Sequence, residues 1–262
     1  MFLQQAFLTP RILSGLLFLL GVPLAVQGVE FRVDTQIFLG DGDLPVSENT
    51  TLFSGEDAFD SIVGGTEITV FKGAEDCFVL LDLNRKLKTR ITTDQLLQYT
   101  ALLKEKASKS KDPLLKFCAQ PKFDVRREDN GKNWQFFDQV LQYQVLTHTA
   151  KDEAVAEQYR RFCDWYARLN AMLRPQALLP FPRLVVNEQI AREAAIPKTV
   201  RLQISPQRRT ENQPFEIRSV HALVEKLSPA EERLVEQFRE HLATFEEVPV
   251  TEYQAKGQAV QN

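Results

Sequence analysis

The stretch CFVLLDLNRKLKTRITTDQLLQYTALL, residues 77–103, changes its hydrophobic period once, and that change decides the fold class. Residues 77–81 are a continuous apolar run, and residues 86–91 are a second strand, close enough to the first for a tight turn at 82–85. Thr92-Thr93-Asp94-Gln95 then fits a capping box, in which Thr92 and Gln95 satisfy each other's backbone donors. Behind it, Leu96, Leu97, Tyr99, Leu102 and Leu103 fit an amphipathic helix to about residue 108. Two strands too close for a crossover helix must pair antiparallel, so the stretch reads as the end of a meander and the start of a helical layer.

Upstream, Phe31, Val33, Thr35, Ile37 and Leu39 share one parity while Arg32, Asp34 and Gln36 take the other, which predicts a half-buried strand ended by Gly40-Asp41-Gly42-Asp43 and Pro45. Short apolar or β-branched runs follow at 49–53, 58–63 and 67–71, punctuated by glycines. Downstream, Asp112-Pro113 opens a short helix ending near Ala119. Strands at 122–128 and 132–138 meet at Asn130-Gly131, a hairpin signal, and 141–147 continues them.

The longest helix is expected over 151–173, where Val155, Tyr159, Phe162, Tyr166, Leu169 and Leu173 step by three and four into one apolar stripe. A shorter helix is expected over 184–195, stopped by Ile196-Pro197, with strands at 199–204 and 215–227. Ser228-Pro229-Ala230-Glu231 caps a last helix, and the tail after Tyr253 is expected to be loose. With no repeat and no low-complexity linker, residues 29–262 read as one α+β domain: a mostly antiparallel sheet with helices packed on it.

Residues 1–28 have the order of a cleaved secretory signal: Arg11, the apolar run 12–20, then a segment of small residues ending at Gly28. The run from Ile12 to Val26 is too short to span a bilayer, so export to the periplasm or the extracellular space is expected, with no stable membrane span after cleavage. At 44% apolar and 26% charged the chain is globular in composition, and a net charge of −3 without a basic cluster argues against nucleic acid. The doublets Arg126-Arg127, Arg160-Arg161 and Arg208-Arg209 read as solvated faces.

Motifs that commit a chain to chemistry are missing. Cys77, Cys118 and Cys163 are isolated, which leaves one disulfide of unspecified pairing or three buried thiols as alternatives. His148, His221 and His241 each stand alone, so no metal and no cofactor are expected, and neither a nucleophile elbow nor a phosphate loop occurs. Asp41 and Asp43 read as a polar turn rather than a cation loop. Asn49-Thr50-Thr51 is a formal glycosylation sequon. The aromatic load of 18 Phe, 5 Tyr and 2 Trp either fills the core or leaves part of the sheet's face as an apolar pocket. The face Tyr159, Phe162, Tyr166 and Leu169 is the candidate lining of that pocket.

Phe31 through Asp94, with Phe78-Val79-Leu80-Leu81-Asp82-Leu83-Asn84-Arg85-Lys86, the segment Phe162-Cys163-Asp164-Trp165-Tyr166-Ala167-Arg168-Leu169-Asn170, and Arg218-Ser219-Val220-His221 with its capped helix, resembles a family of exported bacterial proteins with no assigned activity. The first half is more distantly similar to the periplasmic lipoprotein-carrier superfamily. That resemblance implies a half-barrel, a curved antiparallel sheet around an apolar cavity, and transient binding of a lipid or acyl group. No functional residue of that superfamily has a clear match here. The expected function is therefore a non-enzymatic envelope binding protein. A structural or protein-interaction role in the envelope is the alternative, and a hydrolase with dispersed catalytic residues comes third.

Overall fold

The computed structural model describes residues 29–205 and 215–258. The expected export signal at 1–28 and the Arg208-Arg209 doublet lie outside the described residues. The meander is present as β1 (Phe31–Leu39), β2 (Ser47–Ser54), β3 (Asp57–Ile62), β4 (Glu67–Lys72), β5 (Cys77–Asp82) and β6 (Leu87–Thr92). The capping box forms as the spacing predicts: Gln95 N donates to Thr92 Oγ1 at 3.2 Å and Thr92 N donates to Gln95 Oε1 at 2.8 Å, opening α1 (Thr93–Ser108). Then come α2 (Pro113–Ala119), β7 (Asp124–Glu128), β8 (Asn133–Phe137), β9 (Leu141–Thr149) and the long α3 (Glu153–Leu173). The chain continues through α4 (Phe181–Ala191), β10 (Ala195–Ile204), β11 (Phe215–Val224), α5 (Pro229–Thr244), β12 (Glu246–Glu247) and α6 (Val250–Gln258).

The described strands form one curved sheet in the order β12-β6-β5-β4-β3-β2-β1-β11-β10-β9-β8-β7, antiparallel except where β12 joins β6, and not closed into a barrel. This α+β architecture joins two meanders through one seam. Strand β1 pairs with β2 on one side and with β11 on the other, so Thr35 lies between Asn49 and His221. A contact between residues almost two hundred positions apart leaves no trace in local periodicity.

Three apolar clusters account for the packing. Helix α3 covers one face of the first meander, where Phe53 meets Phe162 edge-on at 5.5 Å and Phe31 stacks on Phe53 at 4.1 Å. Helix α5 covers the opposite face through Val235 and Phe238, against Phe59, Val79 and Leu81. Both faces of β5 are therefore buried, which is why residues 77–81 are a continuous apolar run rather than an alternation. The second meander packs against α1, α2 and α4 around Phe136, Tyr143 and Val186. Gly73 is demanded by a close approach, since a Cβ there would sit 2.2 Å from the carbonyl oxygen of Glu56.

Four expectations need correction. Leu39 does not continue the buried parity of β1; it is exposed, and Phe38 is buried instead, its ring 4.0 Å from the Arg218 guanidinium. Helix α4 starts at Phe181 and ends at Ala191, because Pro182 fits the first turn, where no N–H is needed. Ile196-Pro197 does not merely stop that helix: both lie in β10, and Pro197 sits at a register irregularity against β9, where a missing donor is tolerated. The expected loose tail is helical as far as Gln258, and residues 259–262 lie outside the described residues. Tyr253 is buried in α6, its carbonyl accepts from Arg85 Nη1 at 3.0 Å, and that guanidinium lies over its ring.

Candidate functional site

On the face covered by α3 the inward positions change character along the sheet. In β1 the series runs Phe31, Val33, Thr35, Ile37, and in β3 it runs Ala58, Asp60, Ile62. The polar members, with Asn49 and Thr51 of β2 and Ser219 and His221 of β11, line a cavity of about 310 Å³ beneath the C-terminal half of α3. The helix contributes Tyr159, Phe162, Cys163, Tyr166 and Asn170, and α4 contributes Arg183.

A buried carboxyl and a buried imidazole sit in its wall. Asp60 is 3% exposed, and its Oδ1 accepts from Thr51 Oγ1 at 2.6 Å and from Asn49 Nδ2 at 2.7 Å. Its Oδ2 accepts from the Tyr166 hydroxyl at 3.0 Å. Burial pushes the carboxyl above its ordinary value, and the three hydrogen bonds offset only part of that. His221 lies across the sheet, with Thr35 Oγ1 at 3.0 Å and Tyr159 Oη at 3.4 Å from Nδ1, and Ser219 Oγ at 2.9 Å from Nε2. Burial, aided by the nearby Arg183 charge, lowers it to about 3, so the ring is neutral at physiological pH.

Arg183 is held over the cavity by its own helix. Asn187, one turn further along α4, donates from Nδ2 to Asp164 Oδ1 of α3 at 2.8 Å, which clamps the two helices together. Asp164 is occupied in turn by Arg160 at 2.7 Å. Among the described residues Arg183 has no carboxylate partner and no side-chain hydrogen bond, whereas Arg160, Arg161 and Arg127, members of the sequence's basic doublets, are all ion-paired. Arg174 lines the same cavity from the exposed end of α3.

Of the four residues read as a candidate apolar face, Tyr159, Phe162 and Tyr166 line the cavity, and Leu169 is in the core, 2% exposed. The two tyrosines turn their hydroxyls to His221 and Asp60, so this part of the face is amphipathic rather than apolar. An apolar pocket of about 240 Å³ lies on the other flank of α3, between Phe53, Ala58, Phe71 and Phe162, with Val29 and Arg161 at its edge. Phe162 separates the two spaces.

Sequence reading passed over Asp60, Arg183 and Ser219, and treated His221 as solitary. The available signal was a polar residue at an inward parity, such as Thr35 after Phe31 and Val33; nothing local marks Arg183. The sequon residue Asn49 uses its amide nitrogen on Asp60, inside the cavity wall. Asp41 and Asp43 are exposed in the turn after β1, as a polar turn requires. The three cysteines are unpaired: Cys77 lies in the α5-side cluster, Cys118 in that of the second meander, and Cys163 against the α3-side cluster. No described helix is long and apolar enough to cross a membrane. The chain matches no known protein family and no curated protein.

Proposed function

We propose that the protein is an exported, non-enzymatic binding protein whose α3-side cavity takes a small polar ligand carrying an acidic group. The observation that carries this reading is Arg183, which lines a cavity walled by hydroxyls, amides, a neutral imidazole, Asp60 and the exposed Arg174, and which among the described residues is ion-paired to no acid. A partly buried, unpaired guanidinium costs desolvation without a compensating partner, and a ligand carboxylate or phosphate would supply that partner in bidentate geometry. The wall's hydroxyls and amides would orient the rest of the molecule.

Hydrolysis is the weaker reading, although Ser219 Oγ lies 2.9 Å from His221 Nε2. A general base works best with its pKa near the ambient pH, and an imidazole that takes a proton only near pH 3 is a poor acceptor for a serine proton. The groups on Nδ1 are the hydroxyls of Thr35 and Tyr159 rather than a carboxylate that would stabilise the imidazolium. Binding of a lipid or acyl group, the reading implied by the carrier resemblance, keeps one specific support: the pocket lined by Phe53, Phe71 and Phe162 is apolar enough for an alkyl chain.

Two measurements test the proposal. Thermal shift with a panel of small carboxylates and phosphates should show stabilisation of the native protein that Arg183→Met loses at least tenfold in affinity. Native mass spectrometry of protein from its own host should show a polar acidic adduct; an adduct with the mass of a lipid would favour the acyl reading. If no anion stabilises the protein, or if Arg183→Met binds as the native chain does, the cavity is not an anion site.

A further inference from the structure

Asp60 poses the converse of the Arg183 problem. It is a buried carboxylate in the cavity wall whose three partners, Thr51, Asn49 and Tyr166, are all neutral, and Oδ2 accepts from Tyr166 alone. Neutral donors offset part of the desolvation cost of a carboxylate, but a cation offsets far more. Among the described residues the same cavity therefore holds one acid whose hydrogen-bond partners are all neutral and, at Arg183, a base without an acid, with Arg174 a second, exposed cation at the end of α3.

Their separation follows from the sheet. Asp60 is on β3, and β2 and β1 intervene before His221 on β11, so three strand spacings of about 4.8 Å put some 14 Å between the two sites. Arg183, on α4, lies on the His221 side of the cavity, its charge acting on His221, on Tyr143 of β9 and on Tyr159 and Cys163 of α3. A free amino acid, with its ammonium and carboxylate on one carbon, cannot reach both. An extended chain advances about 3.3–3.6 Å per residue, so three or four residues span the gap. A cavity of about 310 Å³ limits such a ligand to a few small residues. The lining also includes Asn170, and Asn49, Thr35 and Ser219, which are bonded to Asp60 or His221 and keep further amide and hydroxyl capacity for peptide N–H and C=O groups.

We infer that the ligand is a short peptide of about three small residues, with its free amino terminus at Asp60 and its terminal carboxylate at Arg183. This rests on the anion-binding reading of the cavity and adds the ligand's class and its direction.

Calorimetric titration of the full-length mature protein at pH 7 with trialanine, N-acetyl-trialanine, trialanine amide and adipate tests both layers. Trialanine should bind, and each capped form should bind at least tenfold more weakly, on the native chain and without reliance on any variant. Asp60→Asn, if it folds, should abolish the preference for the free amine while keeping the preference for the free carboxylate. N-acetyl-trialanine binding as well as trialanine would overturn the peptide assignment and leave the anion site standing. Adipate binding without trialanine binding would do the same. Binding of neither would overturn both.

Discussion

Tyr166 donates its hydroxyl to Asp60 Oδ2 at 3.0 Å, joining the long helix to the third strand across the cavity. It supplies one of the three donors that keep a buried carboxylate tolerable. Tyr166→Phe removes that donor with little change of shape, so it should cost about 1.5–3 kcal/mol at pH 7, the range for a hydrogen bond to a charged group. Because burial raises the folded Asp60 carboxyl above 3.8, its ionised form is a liability that is relieved as pH falls through the folded value. The variant's deficit should therefore shrink on acidification. Urea denaturation at pH 7 and pH 4 measures this, and an equal deficit at both would show that Asp60 is not the partner that matters.

How much of this was legible follows from where each signal lives. The capped helices, the Asn130-Gly131 hairpin and the α3 stripe are set by contacts within a few residues, and the spacing of residue types reports them directly. The seam between β1 and β11 and the convergence of Asp60, His221 and Arg183 arise from register and topology, which no local period encodes. Tyr159 and Tyr166 show the boundary: the stripe correctly places both against the sheet, but a tyrosine contributes equally to an apolar stripe and to a polar wall. Only Asp60 beneath one hydroxyl and His221 beneath the other decide between them.

His221 should dominate the acid limb of the stability profile. Its folded value is depressed from 6.5 to about 3, so between those pH values the unfolded chain holds a proton that the native chain refuses. Stability should be fully present above about pH 6.5 and fall on acidification by up to roughly 1.4 kcal/mol per pH unit from this group alone. His221→Gln, which keeps hydrogen-bonding groups but does not titrate, should flatten the limb between pH 6 and 4. An unchanged slope in chemical denaturation across that range would mean that other groups control it.

The cysteines should stay reduced in the oxidising space where export would place the chain. Each belongs to a different region of the core, and burial pushes Cys118 and Cys163 up to about 12, which suppresses the thiolate that disulfide exchange requires. Ellman's reagent should label fewer than one thiol per native chain in an hour and three in denaturant. Intact mass after air oxidation should show no loss of two hydrogens. A stable intramolecular disulfide would contradict the positions of the two cysteines it joined.

Phe162 tests whether the face of α3 is core or lining, because it is both. Its ring is 6% exposed, meets Phe53 edge-on at 5.5 Å, and contacts Phe71 and Tyr166 with centroids 6.5 and 5.2 Å away. Truncating a buried phenylalanine costs about 3–5 kcal/mol, from lost transfer energy plus the cavity left behind. Here the polar cavity already lies on one side of the ring and the apolar pocket on the other, so some of the contacts a core ring would lose are already absent. Phe162→Ala should accordingly fall near the lower end, about 3 kcal/mol, and the two spaces should merge. Phe162→Leu, which keeps most of the partition, should cost less than about 1.5 kcal/mol. The merged space should bind an apolar fluorescent probe that the native protein and Phe162→Leu take up weakly, with the denaturation midpoint and probe fluorescence read on the same samples. An unchanged midpoint in Phe162→Ala would show that the ring is not part of the core, and a lowered midpoint without probe uptake would show that the helix collapses into the space instead of leaving it open.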